Sequence, residues 1–256
     1  MQNNIHFRIL GPLSVRIFNK ETAPRGKRQK ILLTMLLLNS ENIVDMDRLI
    51  DATWADRPPA TAKNQIRICV SELRRKFQSH GLHDIIETHS SGYLIRIPED
   101  SLDLTRFGAL VVRGRQAIHT GDTSAAAETL STALGLWQGP IASGVDSPLV
   151  RSISTQHHEN RLSVLEEYFD LELRRGGHHR IIGELTHYVA EYPFRERLCG
   201  QLMLALYQSN RQVDALELFH STRRRLADDL GLEPSHHLRE LENTILTGAV
   251  PDLAAR

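Results

Sequence analysis

An α+β head followed by an all-α, repeat-like helical body is the fold class this sequence predicts, from three observations. Short runs rich in β-branched and aromatic residues, one pair of them closing a hairpin, are confined to the first hundred residues. After Pro98 every long segment carries helical periodicity. The net charge of zero over 256 residues is also unevenly divided. Residues 1–98 hold 15 Lys+Arg against 9 Asp+Glu, a net +6, and residues 99–256 hold 16 against 22, a net −6. A polyanion partner suits the first half and not the second. The expected divisions are 1–98, 99–250 and a C-terminal tail, 251–256.

The head reads in order. HFRIL and LSVRIF flank Gly11-Pro12 and predict two short strands. Arg25-Gly26-Lys27-Arg28-Gln29-Lys30 precedes the apolar run Ile31 to Leu38, which predicts a buried helix with a positive N-terminal end. Lys27 and Arg28, with the free backbone N–H groups of that end, suit phosphate. Asp45 to Trp54 gives a second helix with Met46, Leu49, Ile50 and Trp54 on its apolar side. Arg57-Pro58-Pro59 then breaks the chain.

From Ala60 to Phe77, Ile66, Val70, Leu73 and Phe77 fall at helical spacing and make one apolar stripe. Lys63, Asn64, Arg67, Ser71, Arg74 and Arg75 lie largely off it. These residue types bond phosphates and base edges. Taken alone, the helix suits DNA recognition and an ordinary solvated surface equally. The next element favours recognition. IIETHSSGYLIRI, from Ile85 to Ile97, is two strand-like runs about Ser90-Ser91-Gly92 and predicts a hairpin. Helix followed by hairpin is the order of a winged helix.

In the body, Leu104, Phe107, Leu110, Val111, Gly114 and Ile118 form one helical stripe. Thr123 to Trp137 predicts a second helix, Gln138 to Pro148 a loop, and Pro148 to Arg175 a long helix stopped by Gly176-Gly177. Helices over Ile181 to Tyr192, Arg195 to Gln208, Gln212 to Leu230 and Pro234 to Leu246 follow. The turns at Gly177 and Asn210 are 33 positions apart, close to the period of about 34 residues in tetratricopeptide repeats. Stacked helix pairs of that kind form a concave surface that binds protein.

VSELRRKF followed by THSSGYLIRI resembles the output domain of OmpR-type response regulators. Taken with FRILGPLSV, GKRQKILLTMLLL, LALYQSNRQVDALELF and RRRLADDLGLEPSHHLRELENTIL, nearly the whole chain resembles the Streptomyces antibiotic regulatory proteins (SARPs). The resemblance implies an OmpR-type winged helix joined to a tetratricopeptide-like bacterial transcriptional activation domain. It implies an activator of a secondary-metabolite (antibiotic) gene cluster that binds direct repeats near a promoter −35 element as a side-by-side homodimer. It further implies recruitment of RNA polymerase holoenzyme through its sigma factor and the C-terminal domain of its alpha subunit.

Carried over by position, the resemblance makes Asn64, Gln65, Arg67 and Ile68 base-facing and Ser71 and Arg74 phosphate-facing, with Lys63 and Arg75 beside them. Arg67 suits a bidentate bond to guanine. Glu72 stands where a basic residue is usual. It either accepts from cytosine or pairs with Lys76 at i+4, and the pair is the preferred reading. His89, where many relatives carry Arg, joins Ser90, Ser91 and Arg96 as the wing contacts. A neutral His is a weaker anchor than Arg. Asp56 and Arg57 lie in the loop that faces polymerase in OmpR-type activators.

Other classes find little support. There is no G-x-x-x-x-G-K-[ST], since Gly26-Lys27 lacks the first Gly and the following hydroxyl residue, and no H-E-x-x-H or G-x-S-x-G. No enzyme, cofactor or metal is expected, nor an ATPase or receiver module. The pairs His157-His158, His178-His179 and His236-His237 are adjacent, and neighbours on a helix diverge by about 100°. No apolar run reaches membrane-span length. Two lone cysteines, Cys69 and Cys199, predict a cytoplasmic protein with reduced thiols. Two further readings stay open: a protein-binding adaptor built on the helical half, and a ligand-gated DNA-binding repressor.

Overall fold

The computed structural model describes residues 5–18 and 20–248. The expected tail 251–256, and positions 249–250 assigned to the body, lie outside the described residues. By contacts the chain forms two compact units, Met1–Arg115 with Thr129–Leu162, and Gln116–Glu128 with Ser163–Arg256. The boundary expected at Pro98 falls inside the first unit.

The first unit opens with β1 (Ile5–Arg8), β2 (Ser14–Ile17) and β3 (Lys20–Glu21), antiparallel in that order. Ile5 faces Ile17 and Phe7 faces Val15, and the pleat sends all four into the core, where none exceeds 2% exposure. Lys27 to Lys30 of the basic segment form the first turn of α1 (Lys27–Leu38), the expected positive N-terminal end. Residues Ile31 to Leu37 are all buried, as a helix apolar on every side must be. Then come β4 (Val44–Asp45), α2 (Met46–Trp54), α3 (Ala62–Gln78), β5 (Ile86–Thr88) and β6 (Gly92–Ile95). α1 packs against α2 and α3. Phe77 of α3 meets Phe7 edge-on, with ring centroids 6.1 Å apart.

Three helices and a hairpin in this order are the winged helix. The hairpin gains a third strand that the sequence does not announce, giving the order β4-β6-β5. β4 has two residues, Val44 opposite Tyr93 and Asp45 opposite Gly92. Gly92 makes room for it: a Cβ there would sit 2.0 Å from the Val44 carbonyl oxygen.

After a 3-10 turn at Glu99–Ser101 comes α4 (Asp103–His119). Its first residue, Asp103, is buried, and its carboxylate accepts from the backbone N–H of Ile9 and of Leu10 at 2.9 Å each. Burial pushes this carboxyl's pKa up, opposed by the bonds from Ile9, Leu10 and Leu104. The segment 138–147, expected as a loop, is bound to the same turn. Gln138 N–H donates to Leu10 O at 2.7 Å and Ala142 N–H to Ile9 O at 2.8 Å. The Ser147 hydroxyl donates to Ala52 O at 2.6 Å. Trp137 stacks edge-on against Phe107 at 5.5 Å.

The remaining helices are α5 (Thr123–Leu134), α6 (Pro148–Arg174), α7 (His178–Glu191), α8 (Glu196–Gln208), α9 (Gln212–Leu230) and α10 (His236–Thr247). α5 ends three residues short of the expected Trp137. In the second unit α7 packs on α8, α8 on α9, and α10 on both α8 and α9, a tetratricopeptide-like run of paired helices. Two buried glutamates fix the turns. Glu172 takes Arg175 and Arg180 at 2.9 and 2.6 Å, and Glu166 takes Arg195 at 2.6 Å. No helix of the described residues is long and apolar enough to cross a membrane.

Candidate nucleic-acid interface

α3 separates its residues as its periodicity requires. Ile66, Val70, Leu73 and Phe77 are each 1% exposed. Lys63, Asn64, Arg67, Ile68, Ser71 and Arg75 are exposed, and Gln65 and Arg74 half-buried. Ile68 is the informative one. Half its surface meets solvent, a cost that contact with a thymine methyl would remove.

Two grooves flank this face. One, of about 580 Å³, runs between α2, the start of α3 and the wing, and is lined by Lys63, Arg67, Asp47, Arg48, His89 and Ser90 among others. The other, of about 520 Å³, lies between the first turn of α1 and α3 and is lined by Lys27, Arg28, Gln65, Ile68, Cys69 and Glu72. The α1 turn carries Lys27, Arg28 and Lys30 and no acid. Cations there oppose the helix dipole, so an anion at this end relieves both.

The expected contact residues divide by what holds them. Arg67, Asn64, Ser71 and Arg75 stand on the open face, and Ser90 and Ser91 at the wing tip. Lys63 has only a loose contact, 3.9 Å from Asp47. Others are already engaged. Arg74 donates from Nε to Ile86 O at 2.9 Å and from a terminal nitrogen to the Thr88 hydroxyl at 2.7 Å. It also lies over the Tyr93 ring at 5.9 Å. It ties α3 to the wing. Arg28 donates to Gln65 Oε1 and covers the Trp54 ring at 5.2 Å. Lys27 is exposed and pairs with Asp146 at 2.8 Å, which holds the Asp146 carboxyl below its usual range. In the wing, Glu87 gathers Arg96 at 2.5 Å and His89 at 3.3 Å. Arg96, first, and then His89 draw the Glu87 pKa down.

One expectation is corrected. Glu72 does not pair with Lys76. It accepts from Gln29 of α1, while Lys76 reaches the Ala23 carbonyl oxygen at 2.8 Å. Neighbouring elements offer both side chains better-placed partners than the solvated i+4 geometry does. Asp56 and Arg57 are both exposed, in a loop entered through Ala55 at φ 50° and ψ −126°, a region that costs a non-glycine residue energy.

Sequence reasoning missed Glu87, Trp54, Tyr93 and Asp146 as organisers of this surface. Glu87 was within reach, because the hairpin register brings it near Arg96. Asp146, 119 positions from Lys27, gave no local signal. Cys69 and Cys199 are buried and unbridged. Burial pushes both thiols up, Cys199 to about 11, which removes reactive thiolate. Among the described residues no group of three His, Cys, Asp or Glu is arranged to hold a metal ion.

Two family models match the chain in order: "Transcriptional regulatory protein, C terminal" over residues 20–95 and "Bacterial transcriptional activator domain" over residues 102–246. The regulatory protein AfsR of Streptomyces coelicolor is 37% identical over 98% of this chain, which spans 25% of that relative. The regulatory protein DnrI of Streptomyces peucetius is 30% identical over 93% of this chain and 90% of its own length. A solved structure of Mycobacterium tuberculosis EmbR, in complex with a low-affinity phosphopeptide, superposes with a TM-score of 0.92 at 33% identity, covering 97% of this chain and 66% of that one. The chain thus spans about a quarter of the AfsR relatives' length. With both domains matched in sequence and DnrI aligned over nearly its whole length, the chain belongs to the Streptomyces antibiotic regulatory protein family of transcriptional activators.

Proposed function

We propose that this protein is a cytoplasmic, sequence-specific DNA-binding activator without enzymatic activity. α3 enters the major groove of promoter DNA, and the wing reaches the flanking backbone or minor groove. The observation that carries this reading is the polar face of α3, open on the side opposite its buried stripe and flanked by the wing and the basic start of α1. Arg67 reads guanine, Asn64 and Gln65 read neighbouring bases, and Ile68 meets a thymine methyl. Lys63, Ser71, Arg75, Ser90 and Ser91 hold backbone, with Lys27 and Arg28 at the α1 end.

Two protomers bind direct repeats near the −35 element side by side. They recruit RNA polymerase holoenzyme through its sigma factor and the alpha C-terminal domain, Asp56 and Arg57 forming part of the contact. The controlled genes are a secondary-metabolite cluster. Family membership supports these assignments.

The test is selection of bound fragments from a random DNA pool at near-physiological salt. Enrichment of short direct repeats about one helical turn apart is the expected result. An inverted repeat overturns the side-by-side arrangement, and salt-sensitive binding with no enrichment overturns sequence recognition. On the selected site, the four backbone cations Lys27, Arg28, Lys63 and Arg75 give a log–log salt slope of about −3.6. Arg67→Ala weakens specific binding by roughly 1–3 kcal/mol and relaxes sequence choice. A double Asp56→Ala, Arg57→Ala variant binds DNA normally and loses activation; retained activation sinks the polymerase assignment.

A further inference from the structure

The outer face of the β1–β2–β3 sheet walls a basic cavity. The register pairs His6 with Arg16 and Arg8 with Ser14, so alternation turns all four side chains away from the core. Arg106, in the first turn of α4, and the turn Gly135–Gln138 line the same space. The cavity measures about 400 Å³, within the range of small-molecule sites. None of its lining residues belongs to α3 or the wing.

Its charge is mainly positive. Arg8, Arg16 and Arg106 all line it. Asp103 is the only carboxylate among the lining residues; its oxygens accept from the backbone N–H groups of Ile9 and Leu10, and it offsets part of the Arg8 charge. At the Arg16 edge, Glu21 lies 3.9 Å from the Arg16 Nε and accepts from the Ser14 hydroxyl at 3.1 Å, so the uncompensated charge is that of Arg8 and Arg106. The Nε of Arg8 is buried and donates to no group among the described residues. A buried guanidinium N–H without an acceptor is costly, and gathering three like charges adds to the cost. An anion in the cavity removes both penalties. The guanidinium fork matches phosphate and carboxylate geometry.

We propose that this cavity binds a small anion bearing phosphate or carboxylate groups, gripped by Arg8 and Arg106 with Arg16 at its edge. Because the wall joins β1 to the start of α4, occupancy stiffens the fold behind the DNA-binding face.

The test is calorimetric titration of the full chain with sodium pyrophosphate and, separately, with citrate, which distinguishes phosphate from carboxylate recognition. Arg8→Gln and Arg106→Gln are compared with wild type. A double Lys27→Ala, Arg67→Ala variant controls for anions held on the DNA-binding face. The expected result is binding of at least one probe to wild type, weakened about tenfold in Arg106→Gln and unchanged in the control. Undiminished binding in Arg106→Gln, loss in the control variant, or binding of neither probe to wild type overturns the proposal. If Arg8→Gln fails to fold, the exposed Arg106 position decides alone. DNA affinity of Arg106→Gln stays at the wild-type level, so this result is read independently of DNA recognition.

Discussion

Removing the Arg74 side chain separates two roles that a cation on a recognition helix can have. If Arg74 is a phosphate contact, Arg74→Ala lowers DNA affinity, flattens the salt slope by about 0.9 and leaves the free protein's stability alone. The structure assigns it a different job. Its Nε–H donates to Ile86 O at 2.9 Å, and a terminal N–H to the Thr88 hydroxyl at 2.7 Å, so both bonds end on β5. The guanidinium also lies 5.9 Å from the Tyr93 ring centroid. Hydrogen bonds to a charged group contribute about 1.5–3 kcal/mol each when buried. Here the side chain is half-buried and one bond is exposed, so screening reduces the pair to about 1–2 kcal/mol in total. That corresponds to a fall in melting temperature of about 2–8 °C. The assay is thermal unfolding of the free protein beside DNA binding measured across a salt series. The expected outcome is lower stability, weaker binding to all DNA and an unchanged salt slope. Arg74→Lys does not rescue, because an ammonium lacks the fork that reaches both acceptors. Unaltered stability with a slope reduced by about one would refute the clamp.

Three further outcomes are expected. Gly92→Ala places a methyl 2.0 Å from the Val44 carbonyl oxygen and must break the β4–β6 pairing; it costs about 2–3 kcal/mol and weakens DNA binding as the wing shifts, and denaturant unfolding at wild-type midpoint contradicts this. Asp103→Ala leaves buried N–H groups of Ile9 and Leu10 unpaired and costs about 3 kcal/mol or more. The Asp103 pKa is raised in the fold, so its contribution is fully present below the ordinary carboxylate value of about 3.9 and declines as pH rises through the folded value. The midpoint difference between wild type and variant therefore narrows from acid to neutral pH, and a widening difference refutes the argument. Asp146→Asn frees Lys27 and raises affinity for every DNA sequence alike by roughly twofold to fivefold at low salt; a sequence-selective gain in a binding titration speaks against a phosphate role for Lys27.

Local pattern carried much of this protein's architecture. The stripe of Ile66, Val70, Leu73 and Phe77 is periodic, and periodicity is a property of neighbouring residues. So are the breaks at Arg57-Pro58-Pro59 and Gly176-Gly177, and the hairpin about Ser90-Ser91-Gly92. The helices therefore came within a few residues of their observed ends, and Lys63, Asn64, Arg67, Ser71 and Arg75 off the α3 stripe came out exposed. Tertiary structure decided the partners. Glu72 and Lys76 were equally placed for each other by sequence, yet Gln29 and the Ala23 carbonyl lie closer once α1 is packed. Arg74 and Arg67 are both cations on one helix, and only the approach of β5 turns the first inward. β4, two residues long, has no pattern to read; it exists because Gly92 leaves space for it. The attachment of residues 138–147 to the Ile9–Gly11 turn is likewise set by backbone groups that every residue carries. Side-chain periodicity is written in sequence, whereas the distance between residues a hundred positions apart arises only when the chain has closed on itself.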